Sequence, residues 1–164
     1  MKVIAFDLFG TVFDFSGTPR NEIKDYAAQI RQPEWAPLIL PKSWENMPAF
    51  ADSAEGITKL RTTFFVVTCS NALLGLQAKM CKHAGISFDA LIPIELNRVY
   101  KPTPKAYMTI CGVLKVDPQD VLMVTANKDF GDLEASKALG MESVLIRDGD
   151  GPKTIIELAE LLGC

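Results

Sequence analysis

Five short apolar runs divide this chain, and segments with helical spacing lie between them. No other feature restricts the fold so strongly. The runs are residues 2–6, Thr63–Val67, Ala90–Ile94, Val121–Val124 and Ser143–Ile146. Thr63-Phe64-Phe65-Val66-Val67 is continuously apolar rather than alternating, as expected of a strand covered on both faces. Helices are predicted over Ser53–Arg61, Leu73–Ala84, Pro104–Leu114, Asp132–Leu139 and Thr154–Leu162. Ser53 reads as an N-cap ahead of Ala54, Ile57 and Leu60, and Gly140 closes the fourth helix as a C-cap. Strands alternating with helices predict βαβ units with right-handed crossovers. The expected fold class is therefore α/β, a three-layer parallel sheet with helices on both faces.

One stretch breaks the alternation. After the first run, residues 15–50 hold a polar helical pattern over Asn21–Arg31 and then a Pro- and Trp-rich segment from Pro33 to Pro48. No strand is expected there. It reads as a short insertion after strand one, lying over the sheet edge. The 164 residues are enough for one domain, 1–164, with a core of its own.

Composition excludes several classes of function. A net charge of −3 supplies no basic footprint for nucleic acid or an acidic membrane surface. No apolar run is long enough to span a bilayer. The opening Met1-Lys2-Val3-Ile4-Ala5-Phe6-Asp7 meets an acid too soon for a signal peptide. Cys69, Cys81, Cys111 and Cys164 are scattered with no C-x-x-C pair, which argues against a zinc site or a disulfide framework. A cytoplasmic protein is the expectation. The single histidine, His83, falls within a helical pattern and reads as a surface or packing residue.

In a parallel sheet of this kind, ligands bind beyond the carboxyl ends of the strands. Asp7, Gly10 and Thr11 follow the first strand, and Thr68, Ser70 and Asn71 the second. Asn97 and Lys101 follow the third, and Thr125, Asn127, Asp129 and Asp132 the fourth. These loops can converge to supply a carboxylate, a cation, hydroxyls and amides. An aspartate there can simply accept turn N–H groups, or it can act as a nucleophile if ionised and held by donors. Ser70-Asn71 can cap a helix, contact a substrate anion, or both. Asp129 and Asp132 can serve as helix-start acids. Asp148-Gly149-Asp150-Gly151 reads as a turn, because the remaining ligands of a calcium loop are missing.

Taken together, four segments resemble the haloacid dehalogenase superfamily across nearly the whole chain outside residues 15–50. They are Phe6-Asp7-Leu8-Phe9-Gly10-Thr11-Val12-Phe13-Asp14, Val67-Thr68-Cys69-Ser70-Asn71, Arg98-Val99-Tyr100-Lys101-Pro102, and Val124-Thr125-Ala126-Asn127 through Gly131-Asp132-Leu133-Glu134-Ala135 to Gly140-Met141. The resemblance implies a Rossmann-like sheet with the insertion as a reduced cap. It implies Asp7 as nucleophile and Ser70 as binder of the substrate's anionic group, with Thr68 as the alternative. Lys101 would orient and neutralise, and Asp132 would be the second acid, with Asp129 as fallback. Phe9, Asn71, Asn127 and Thr125 are the expected substrate-binding positions.

Phosphatases of the superfamily carry an acid two residues after the nucleophile, where this chain has Phe9. Phenylalanine cannot transfer a proton. In this respect the chain resembles the 2-haloacid dehalogenases, whose leaving halide needs no proton and whose chemistry needs no cofactor. Arg20 and Arg31 are candidates for the cap's carboxylate-binding arginine, although a solvated helix-end role is the plainer reading of each. Ile30-Arg31-Gln32-Pro33-Glu34-Trp35 resembles a remnant of the cap. Three readings follow. The first is a dehalogenase acting on a small 2-substituted carboxylate, with a homo-oligomer covering the open site. The second is a Mg²⁺-dependent phosphatase, with Asp7, Asp132 and the Phe9 carbonyl holding the metal. The third is a non-catalytic binding protein using Trp35 and Trp44, for which packing over the sheet is the plainer role.

Overall fold

The computed structural model describes residues 2–164. Four parallel strands, β1 (Val3–Phe6), β2 (Phe65–Thr68), β3 (Val121–Thr125) and β4 (Glu142–Leu145), lie in the order β2-β1-β3-β4. β1 is central, with Ile4 paired to Val66 on one side and to Leu122 on the other. Six α-helices accompany the strands: α1 (Arg20–Ile30), α2 (Ser53–Leu60), α3 (Leu74–Ala84), α4 (Pro104–Leu114), α5 (Asp132–Ala138) and α6 (Ile155–Leu161).

The pleat of β1 separates two apolar layers. Ile4 and Phe6 point into a core with Ile57 and Leu60 of α2, Met80 of α3 and Leu158 of α6. Val3 and Ala5 face Ala106, Tyr107 and Ile110 of α4 and Met141. Helices therefore cover both faces, which is the three-layer arrangement expected. α5 ends as anticipated. Gly140 takes a φ of 89°, and the Gly140 and Met141 N–H groups donate back to Lys137 and Ser136 carbonyls.

Three expectations need correcting. Ala90–Ile94 is not a strand and makes only a bridge between Ala90 and Val67. The backbone ladder stops because the Ile92 N–H donates to the Thr68 side chain rather than to main chain. Pro93 then has no N–H to offer, and a 3₁₀ turn begins at Ile94. Ser53 is not an N-cap. It is the first residue of α2, and its hydroxyl donates to the Val12 carbonyl at 2.8 Å.

The third correction concerns the insertion. Its neck is zipped by Asp14 N–H to the Pro48 carbonyl (2.7 Å) and Phe50 N–H to the Val12 carbonyl (3.1 Å). Beyond the neck, α1 packs over the loops that follow β1 and β2, and a 3₁₀ turn at Lys42–Asn46 lies between Phe9 and α3, so the insertion covers the carboxyl end of the sheet and not its edge alone. Apolar contact decides this. Trp44 and Tyr26 are buried against Phe9, with ring centroids 5.2 and 5.5 Å away. Trp35 stacks on Tyr100 at 5.9 Å, and the Tyr100 hydroxyl donates to the Ala36 carbonyl at 2.5 Å.

Candidate active site

β1 runs into Asp7, whose N–H still donates to the Val124 carbonyl. The chain then turns tightly, and the Leu8 carbonyl accepts from Thr11, Val12 and Phe13 N–H groups. Gly10 makes the turn possible. Its φ is 81°, and a Cβ there would lie 3.1 Å from the Asn127 amide oxygen. The turn returns Thr11 toward Asp7, where its hydroxyl donates to Oδ2 at 2.9 Å and accepts from Ala126 N–H at 2.9 Å. One threonine thus ties the ends of β1 and β3 together. In a sheet ordered β2-β1-β3-β4, the crevice between those two ends is the topological switch point.

Asn127 enters from the β3 side, with its own N–H held by the Thr125 hydroxyl at 3.1 Å. Its amide Nδ2 donates to Asp7 Oδ2 at 2.5 Å and to the Phe9 carbonyl at 2.9 Å. Lys101 enters from the loop before α4. Its Nζ lies 2.9 Å from Asp7 Oδ1 and 3.1 Å from Asp132 Oδ1. Asp132, the first residue of α5, also accepts from the Tyr107 hydroxyl at 2.5 Å. The result is a buried row of carboxylate, ammonium and carboxylate.

Burial would make this row costly without mutual pairing. The Lys101 side chain is 1% exposed, and its ammonium is held well above its ordinary value. Desolvation opposes that rise, but the Asp132 and Asp7 charges outweigh it. Burial raises the Asp7 carboxyl above 3.8 against the pull of Lys101 and Thr11. Burial also pushes the Tyr107 phenol far up, so it stays a donor to Asp132. Cys69 is pushed up to about 12 by burial and remains a neutral thiol.

Four expected residues therefore meet: Asp7, Lys101, Asn127 and Asp132. Asp7, Lys101 and Asn127 border a cavity of about 640 Å³ with Phe9 on the same wall, whereas Asp132 is fully buried beyond Lys101 and does not line it. Asp129 lines the mouth instead of joining the row, as does Arg31, whereas Arg20 does not line the cavity. Thr125 is fully buried and acts on Asn127. Asn71 stands behind the wall. It accepts from Lys101 N–H at 2.7 Å and donates to the Lys101 carbonyl and the Tyr26 hydroxyl. Neither Ser70 nor Asn71 caps α3, which starts at Leu74. Ser70 is buried, does not line the cavity, and accepts from Ala72 N–H at 3.1 Å. Thr68 is engaged by Gln77 and Ile92.

Two contributors are not among the site candidates of the sequence, Tyr107 and Tyr26, and Thr11 is named there only as a residue of the loop after the first strand. Thr11 sits in the motif turn and could have been inferred from its position four residues after Asp7. Tyr107 carries only the signature of a core helix residue, and Tyr26 only that of an insertion aromatic.

The donor set does not suit a divalent cation. The two oxygens that would hold it on one side, Asp7 Oδ2 and the Phe9 carbonyl, both accept from the Asn127 amide. An N–H donor occupies the position a cation would need. The other Asp7 oxygen and Asp132 share the Lys101 ammonium. Among the described residues, no group of three or more His, Cys, Asp or Glu is arranged for a metal.

Such a site at such a switch point defines a Rossmann-like α/β protein with a buried, lysine-neutralised aspartate. The chain is 28% identical over 152 residues to an (S)-2-haloacid dehalogenase of Xanthobacter autotrophicus, covering 86% of this chain and 60% of that protein. It is 27% identical over 119 residues to (S)-2-haloacid dehalogenase 4A of Burkholderia cepacia, covering 70% of this chain and 50% of that one. The chain thus spans half to three-fifths of the length of these curated relatives. The structure of the L-2-haloacid dehalogenase from Xanthobacter autotrophicus with chloropropionic acid covalently bound superposes with a TM-score of 0.80 at 18% identity, over 99% of this chain and 98% of that one. No family model matches the chain. In sequence and in fold, then, the chain is similar to 2-haloacid dehalogenases.

Proposed function

We propose that the chain is a hydrolase that removes halide from a small 2-halocarboxylate, with Asp7 as nucleophile. The observation that carries this reading is the Asn127 amide seated between Asp7 Oδ2 and the Phe9 carbonyl. It supplies hydrogen bonds where a phosphatase of this design would need a cation, and Phe9 stands where it would need a proton donor.

In the first step an Asp7 carboxylate oxygen forms a bond to the substrate's C2. The carbon–halogen bond breaks and the halide leaves with its electron pair. Lys101, Thr11 and Asn127 aim the carboxylate and limit its freedom. In the second step a water oxygen adds to the Asp7 acyl carbon of the ester. The 2-hydroxy acid departs through its alcohol oxygen, Asp7 is restored, and one proton is released. That proton leaves to solvent through the open cleft, while Asp132, the row's second carboxylate, balances the Lys101 ammonium. Arg31, at the cavity wall, is the candidate partner for the substrate carboxylate.

Residues 1–164 act in this reading as one domain, with 15–50 as a reduced cap. The site is then completed by the insertion alone or by a second copy of the chain. A cytoplasmic setting fits the free cysteines. Among the described residues, no helix is long and apolar enough to cross a membrane.

The test is halide release from a panel of 2-haloacids in the presence of a chelator. Turnover is expected from the unmodified chain, together with a mass increase on a peptide containing Asp7. Failure across the panel, combined with Mg²⁺-dependent phosphate release, would replace this reading with the phosphatase one.

A further inference from the structure

We infer that the cleft is built for a 2-halocarboxylate bearing an extended apolar arm, rather than for the three-carbon acid that would suffice for the chemistry. The inference rests on the dehalogenase reading for the reacting end of the substrate. It stands on a separate feature of α1 for the rest.

That feature is a strip of aliphatic side chains that the protein does not bury for itself. α1 is otherwise polar (Arg-Asn-Glu-Ile-Lys-Asp-Tyr-Ala-Ala-Gln-Ile), but Ile23, Ala27 and Ile30 fall at i, i+4 and i+7 and share one face. All three are half-buried and line the cavity that also contains Asp7 and Lys101. Ile23 and Ala27 belong to neither apolar core, and Ile30 only touches the edge of one. Such a face on a surface helix normally packs against its own core. Here it opens onto the cleft, which Phe15 and Phe130 also line.

Size and charge point the same way. A volume of about 640 Å³ is that of a drug-sized ligand site, and a three-carbon acid would fill a small part of it. At the rim, Arg31 and Lys128 stand with Asp129 and Asp148, so the two signs balance and a second anionic group on the substrate would gain little. Tyr26, the wall's polar residue, accepts from Asn71 within the wall. What remains along α1 is apolar surface, and the ligand chemistry that gains from it is an alkyl or aryl chain.

The experiment is a chain-length series with two readouts. Binding of unreactive straight-chain carboxylates is measured by calorimetry, and halide release from the matching 2-chloro acids gives kcat/KM. Both are expected to rise by about twofold for each added methylene, roughly half of what full burial would yield. Ile23→Asp should flatten the slope. Ala27→Trp, which fills the cleft, should instead impose an early length cut-off, and thermal unfolding of both variants checks that they fold. A flat series in the unmodified chain overturns the inference, as it would if a second copy of the chain covered the strip. Length-dependent binding with no halide release would keep the apolar arm and remove the dehalogenase reading together with the halide. Halide release equal at all lengths would do the reverse.

Discussion

The two sides of the cleft are built differently. On the sheet side the buried polar groups are all engaged. Asp7 is held by Lys101, Thr11 and Asn127, and Lys101 is shared with Asp132, which is itself held by Tyr107. On the α1 side, Ile23, Ala27, Ile30 and Arg31 face the same cavity with few partners. Buried charges must be mutually satisfied, so the sheet side has one workable arrangement. Half-buried aliphatic groups tolerate exchange at small cost, so the α1 side is where substrate choice can be adjusted without disturbing the chemistry.

The largest effect that would sharpen this contrast is Asp7→Asn. It is expected to keep the fold and lower kcat/KM for halide release by more than about a thousandfold, read alongside an unchanged circular dichroism spectrum. Lys101→Met comes next. It leaves two buried carboxylates without their cation, and urea unfolding should register a loss of about 3–5 kcal/mol.

A gain of function tests the same side from the other direction. Asn127→Asp would turn the donor between Asp7 and Phe9 into a third carboxylate ligand. Excess Mg²⁺ should then raise the melting temperature by several degrees, roughly, in the variant while leaving the unmodified protein unmoved. An equal shift in both would mean that the amide does not keep a cation out.

The pH profile is a subtler probe. In the proposed reaction Asp7 attacks in its ionised form, and burial raises its pKa above 3.8, so activity is expected to fall at a pH above that value as acid is added. The ammonium of Lys101 is held well above 10.5, so no alkaline limb from it should appear below that pH. A plot of log kcat/KM against pH checks both signs. The smallest effect is expected where the two sides join. Tyr26→Phe removes the hydroxyl that accepts from Asn71, and unfolding should show a loss of about 1 kcal/mol or less, because Asn71 retains Lys101.

Sequence alone determined the strands at residues 3–6, 65–68, 121–125 and 142–145 to within two residues at either end, because continuous apolar runs between helical stripes have few other uses. The same reasoning failed at Ala90–Ile94, where a threonine side chain replaces a backbone acceptor, and no local pattern reveals that. For the site, the sequence marked Asp7, Lys101, Asn127 and Asp132, since the motifs follow β1, β3 and an expected strand whose loop still reaches the carboxyl end of the sheet. Tertiary structure decided the remainder. Ser70 and Asn71 support the wall instead of lining it, Tyr107 reaches Asp132 from a core helix, and the insertion drapes its aromatics over Phe9. The reason is that motif spacing follows the strands, which share a common direction. A side chain's partner depends on which distant helix packs above it, and that is settled only when apolar surfaces compete for burial.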